Sequence, residues 1–275
     1  MCTIDDDCDP SKVLNLRDQN IHDNNIYSNI QPKINMILRL HLGANNIGVY
    51  GARVLSECLH TNKVITHLTL ESNNIGDSGC TALSEWLSTS SSLLHLGLGG
   101  NHIGNSGCFN LGRSIFKNNS LQVLVLCFNQ IGDSGFIDFC QHVQGHKILA
   151  KIIFWNNPIT NLGGTALEKM LKNNTTITRF EYYDDFVEIK IKKRIKYHLD
   201  FNRLYQSEYP KKYLLTVSQF MKIWYYLSRN SHYYGHYYIS SELVRIISDF
   251  LGVSYFQSVM SWKQRLHQQI LESSQ

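Results

Sequence analysis

A chain of 275 residues, 43% of them hydrophobic, is long and apolar enough to bury a sizeable core. No apolar run reaches the roughly 18 residues of a membrane span, and a net charge of +4 is too small to mark a polyanion-binding protein. The seven cysteines do not read as a secreted disulfide framework, because Cys80 and Cys108 share a repeat position with Ala52 and suit small buried sites. The start MCTIDDDCDP lacks the basic and apolar regions of a secretory signal, so a soluble cytoplasmic protein is expected.

Residues 1–11 are acidic and expected to be unstructured. VLNLRDQNI (13–21) reads as a degenerate first repeat with Gln19 where later units carry Asn, and SNIQPK (28–33) as a linker. An octapeptide then recurs: LHLGANNI at 40–47, LTLESNNI at 68–75, LGLGGNHI at 96–103, LVLCFNQI at 124–131 and IIFWNNPI at 152–159. Every step is 28 residues, and the degenerate repeat stands 26 before the first of them. A fixed internal period of this length implies a solenoid. Each unit follows LxLxxNxIGxxGxxxLxxxL. Its alternating first half is a short strand with one buried face, on which Leu68, Leu70 and Ile75 point inward. Asn45, Asn73, Asn101, Asn129 and Asn157 stand where the strand must turn. A buried amide there can satisfy backbone groups in its own turn and the next. A Gly-flanked loop follows, then a helical stretch with apolar residues three or four apart, such as Cys80, Leu83 and Leu87.

FEYYDDF (180–186) is the sixth regular strand, with Asp185 at the Asn position. Residues 188–203 form a basic amphipathic helix carrying Ile191, Ile195 and Leu199 on one face, a suitable end cap. Its Lys/Arg cluster reads as a solvated outer face. Beyond about residue 204 the period stops. Residues 204–275 read as a small Tyr-rich α-helical module, with helices expected at 213–229, 240–251 and 255–271.

These units resemble the leucine-rich repeat family, specifically the ribonuclease-inhibitor-like subtype also found in NOD-like receptors and Ran GTPase-activating proteins. The resemblance covers residues 12–203. It implies an α/β fold, a right-handed horseshoe with a parallel sheet on the concave face and helices on the convex face. Stability would then be a sum over stacked neighbours. It also implies a non-enzymatic scaffold that binds a protein partner on the concave face, with a GTPase-activating regulator as a lesser alternative.

On that face the residues fall into columns, on strands about 4.8 Å apart. One column is Arg39, His67, His95, Val123, Lys151 and Arg179. The next is His41, Thr69, Gly97, Val125, Ile153 and Glu181, and beside it run Gly43, Glu71, Gly99, Cys127, Trp155 and Tyr183. The last is Ala44, Ser72, Gly100, Phe128, Asn156 and Asp184. Val123, Val125, Cys127, Phe128, Ile153, Trp155 and Tyr183 are expected to form an apolar and aromatic partner surface. The glycines at 97, 99 and 100 are expected to leave a gap beside it. Arg39, His67, His95, Lys151 and Arg179 give a weakly basic rim, unlike the acidic face a ribonuclease inhibitor needs.

No catalytic constellation, metal site or phosphate loop is legible, and no cofactor, nucleic acid or membrane partner is expected; the chain reads as a monomer. ISSELVRIISDFLG (239–252) resembles the opening of an F-box. Leu243, Ile246, Ile247, Phe250 and Leu251 would form the face that docks on a Skp-type adaptor of a ubiquitin ligase. Ser240 stands where that motif has Pro.

Overall fold

The computed structural model describes residues 9–182 and 187–206. The chain divides into two units, residues 1–207 and 208–275, and the second lies outside the described residues. So do the helices expected at 213–229, 240–251 and 255–271.

Seven three-residue strands make one all-parallel sheet in chain order. They are β1 (Val13–Asn15), β2 (Arg39–His41), β3 (His67–Thr69), β4 (His95–Gly97), β5 (Val123–Val125), β6 (Lys151–Ile153) and β7 (Arg179–Glu181). A helix follows each: α1 (Ile26–Ile30), α2 (Val49–Leu59), α3 (Gly76–Leu87), α4 (Asn105–Lys117), α5 (Asp133–Val143), α6 (Asn161–Asn173) and α7 (Ile189–Gln206). The 28-residue period sets the register, pairing Leu40, Leu68, Leu96, Leu124, Ile152 and Phe180 in line; Leu14 joins them at the 26-residue step. These central residues point toward the helices. With Leu42, Leu70, Leu98, Ile75 and the helix positions Leu55, Leu83 and Leu111 they form one continuous core. Stacking is what buries them, since a single βα unit has no second layer. The repeat positions of Cys80 and Cys108 are buried as expected, and burial pushes the Cys80 thiol up to about 12.

Four turns of chemistry repeat with the same period. The fifth residue of each octapeptide adopts a left-handed backbone: Asp18, Ala44, Ser72, Gly100, Phe128 and Asn156 all have φ between 54° and 64°. This bends the chain off the sheet. The next residue, the Asn, then reaches back. Asn129 Nδ2 donates to the carbonyls of Leu126 and Leu98, while its Oδ1 accepts the amides of Asn101 and Ile103. Asn45, Asn73 and Asn157 do the same with their own and the preceding repeat. The amide thus ties each turn to the repeat before it, not to the one after as expected.

Two further ladders lie at the helix ends. Asp77 Oδ1 accepts the amides of Gly104 and Gly107, so it caps the helix of the following repeat; Asn105 and Asp133 act likewise on the next two. Gly107 is required because a Cβ there would stand 2.7 Å from that carboxylate oxygen. Val49 occupies this capping position in α2 and has no side-chain acceptor. At that junction Gly76 turns to φ 59° and its amide finds the Asn101 carbonyl instead. Past the C-termini of the earlier helices, and within α7 at the last position, Asn62, Asn118, His146, Asn174 and Asn202 stand in another 28-residue column. Asn118, for example, bridges the Leu87 and Ser90 carbonyls to the amides of Ser120 and Leu121.

Two boundaries differ from expectation. The stretch 28–33 is not wholly a linker, since its start belongs to α1, whose Ile26 and Ile30 are buried. The terminal helix runs on to Gln206, and it packs through Ile191, Ile195 and Leu199 as its pattern requires.

Candidate functional site

Strand periodicity turns every second side chain of β2–β7 away from the helices, and these residues line the open face of the sheet. The pairing puts Arg39, His67, His95, Val123, Lys151 and Arg179 side by side, with His41, Thr69, Gly97, Val125, Ile153 and Glu181 two residues further on. Both columns are those read from the sequence.

The early half of this face is polar. The rings of His67 and His95 stack with centroids 5.6 Å apart. His41 Nδ1 lies 2.9 Å from the Thr69 hydroxyl, and His67 Nδ1 lies 2.9 Å from that of Thr66. Burial lowers the His95 pKa to about 4, with His67, Lys151, His41 and Arg39 adding to the shift, so His95 is uncharged at neutral pH. At the far end of the column Arg179 pairs with Glu181. The positive charge on this rim therefore resides on its Arg and Lys side chains rather than on His95.

The late half is apolar. Val125, Cys127 and Ile153 form a buried cluster separate from the main core, with Ile153 only 2% exposed and Val123 and Trp155 packed against it. Above it Phe128 is 54% exposed. Its ring meets that of Trp155 edge-on, with centroids 4.4 Å apart. The expected surface is thus a buried aliphatic base carrying two aromatic rings, rather than an open sheet of exposed side chains. Tyr183 and Asp184 lie outside the described residues, as do Leu243, Ile246, Ile247, Phe250 and Leu251.

The expected gap at Gly97 and Gly99 is filled. The Glu71 side chain leans from the end of β3 across both glycines. Sequence columns locate backbones and say nothing of which way a long side chain leans, so Glu71 was not singled out. Its signal was present: a long acidic residue in a column otherwise occupied by Gly43 and Gly99.

The regular period, the single parallel sheet and the asparagine ladder define an α/β solenoid of stacked repeats. The family described as Leucine Rich repeat matches residues 61–84, 89–112 and 117–140, so this stretch of the chain is built of leucine-rich repeats. Among solved structures, that described as Leiomodin-1 Actin-Binding Site 2 (ABS2) is similar in fold, with a TM-score of 0.53 at 16% identity, covering 62% of this chain and 96% of that one. The tropomodulin C-terminal domain of Caenorhabditis elegans gives a TM-score of 0.41 at 16% identity, covering 66% of this chain and 93% of that one. The curated proteins contain no match.

Proposed function

We propose that the chain is a non-enzymatic interaction scaffold that binds a protein partner on the open face of its sheet, anchored at Phe128 and Trp155. One observation carries this reading. Phe128 holds a left-handed backbone, φ 55°, at a position where the other repeats use Asp, Ala, Ser, Gly or Asn. A bulky residue there is strained by the order of 1–2 kcal/mol, and its ring is left exposed beside Trp155. Packing alone gives no reason to place a large aromatic there, and exposed aromatic pairs over an apolar base are typical interface anchors. The test compares capture by the full chain, by Phe128→Ala/Trp155→Ala, and by Phe116→Ala, which removes a ring 63% exposed on α4. Partners that depend on the open face are lost with the first variant and kept with the second. Equal retention by both would remove the reading. Purified actin is a sensible defined probe, since the leiomodin-1 structure of like fold is described as an actin-binding site.

A further inference from the structure

One column of the open face alternates long and absent side chains: Arg17, Gly43, Glu71, Gly99, then Cys127. A Cβ on Gly97 would collide with the Glu71 Oε1. A Cβ on Gly99 would stand 3.5 Å from the Glu71 Cγ and 3.0 Å from the Cys127 Sγ. The acidic side chain and the apolar cluster therefore meet above a single glycine. Glu71 has no ion pair among the described residues. Its own backbone amide and the charge of Arg17 favour the ionised form, but burial outweighs them and raises the carboxyl above its ordinary value. Arg17 leans over Gly43 on the neighbouring strand and makes no ion pair with Glu71. Arg39 stands four residues back along its strand, about 13 Å away, and Lys151 is three strands over from Glu71, about 19 Å away. A half-buried carboxylate that no cation pairs with costs stability. Glutamine would fill the same trough without that cost.

Resting on the partner-face reading above, we propose that the partner presents a lysine or arginine whose stem lies beside Cys127 and whose cation meets the Glu71 carboxylate over Gly97 and Gly99, with a neighbouring apolar side chain on the Phe128–Trp155 pair. Long basic side chains suit such a site because they bury an aliphatic stem while keeping the charge paired. Glu71 and Trp155 share a column and are three strands apart, about 14 Å. An extended segment crossing the sheet covers that in about four residues. The partner is therefore a basic–apolar protein segment with its cation and its apolar anchor about four positions apart.

The experiment is selection of random phage-displayed peptides on the full chain, followed by affinity measurement on Glu71→Gln and Trp155→Ala. The enriched peptides are expected to carry Lys or Arg about four positions from a large apolar residue. They should bind Glu71→Gln about tenfold more weakly, the size of one charge-assisted contact. Thermal melts should show Glu71→Gln folded and at least as stable as the wild type at neutral pH. Peptides without a basic residue, or with affinity unchanged in Glu71→Gln, overturn the proposal. If those peptides still require Trp155, the partner-face reading stands and only the cation is lost; binding indifferent to Trp155→Ala, or an empty selection, counts against both.

Discussion

Phe128 and Asn129 are neighbours in the chain and opposites in what they answer to. Asn129 belongs to a column that repeats asparagine at 45, 73, 101, 129 and 157, each bonded to backbone groups of two adjacent repeats. Phe128 belongs to a column that reads Asp18, Ala44, Ser72, Gly100, Phe128 and Asn156, sharing a backbone conformation and nothing else. The interior ladder must be uniform because every turn presents the same unsatisfied amides and carbonyls, and a buried polar group left unpaired is expensive. The open face carries no such demand, so its residues vary, and it divides into a polar histidine-bearing half and an apolar half ending at Trp155. In a solenoid the constant columns report the fold and the variable columns report the use.

The sharpest way to break this contrast is to mutate both neighbours. Asn129→Ala removes two donors and an acceptor that serve Leu98, Leu126, Asn101 and Ile103. With those groups buried, a loss of about 4 kcal/mol is expected from urea unfolding. The adjacent change Phe128→Gly should do almost the opposite. It relieves about 1–2 kcal/mol of left-handed strain and forfeits about 0.5–1.5 kcal/mol of ring contact with Trp155. Stability is then unchanged or slightly raised, while partner capture falls. A large destabilisation by Phe128→Gly would show that this ring is a packing element and not an anchor.

Between these two lies the one flaw in a constant column. Val49 stands where Asp77, Asn105 and Asp133 cap the following helix. Val49→Asp is expected to stabilise the chain by about 1 kcal/mol, the usual worth of a cap, and to release Gly76 from its left-handed turn. Unfolding midpoints that stay put would mean the Gly76–Asn101 bond already serves the junction as well as a cap.

Most of this organisation was legible in the residues. The period alone placed the strands, their register and the columns of the open face, because parallel stacking at a fixed repeat leaves no freedom in which residue faces which. Four things were not. The asparagines bond backward rather than forward, which depends on the handedness of the turn and not on spacing. The second ladder, Asn62 to Asn202, keeps the 28-residue step but is interrupted by Ser90 and His146, so it does not read as one residue type. The lean of Glu71 into the glycine trough is a side-chain rotamer, invisible to any column of letters. The first helix was missed because a repeat shortened to 26 residues leaves room for only five helical residues.

The smallest expected effect tests the polar half of the face. The folded chain holds His95 at a pKa of about 4 through burial and the neighbouring His67, Lys151, His41 and Arg39, against 6.5 in an unfolded chain. His198, half-buried on α7 near Lys172 and Arg194, is lowered to about 4 as well, by desolvation first and by those charges second. Between these values the unfolded chain binds protons that the folded chain refuses, so stability falls as pH drops from about 6.5 toward about 4. Glu71, with its raised carboxyl, works the other way and is stabilised by acid. The net result expected is a shallow fall in Tm across this window, flattened in part by His95→Gln and steepened by Glu71→Gln. A slope that ignores both substitutions would place the titrating groups elsewhere than the open face. A slope that follows them makes the polar half a region whose charge state is set by burial, ready to be altered by whatever segment covers it.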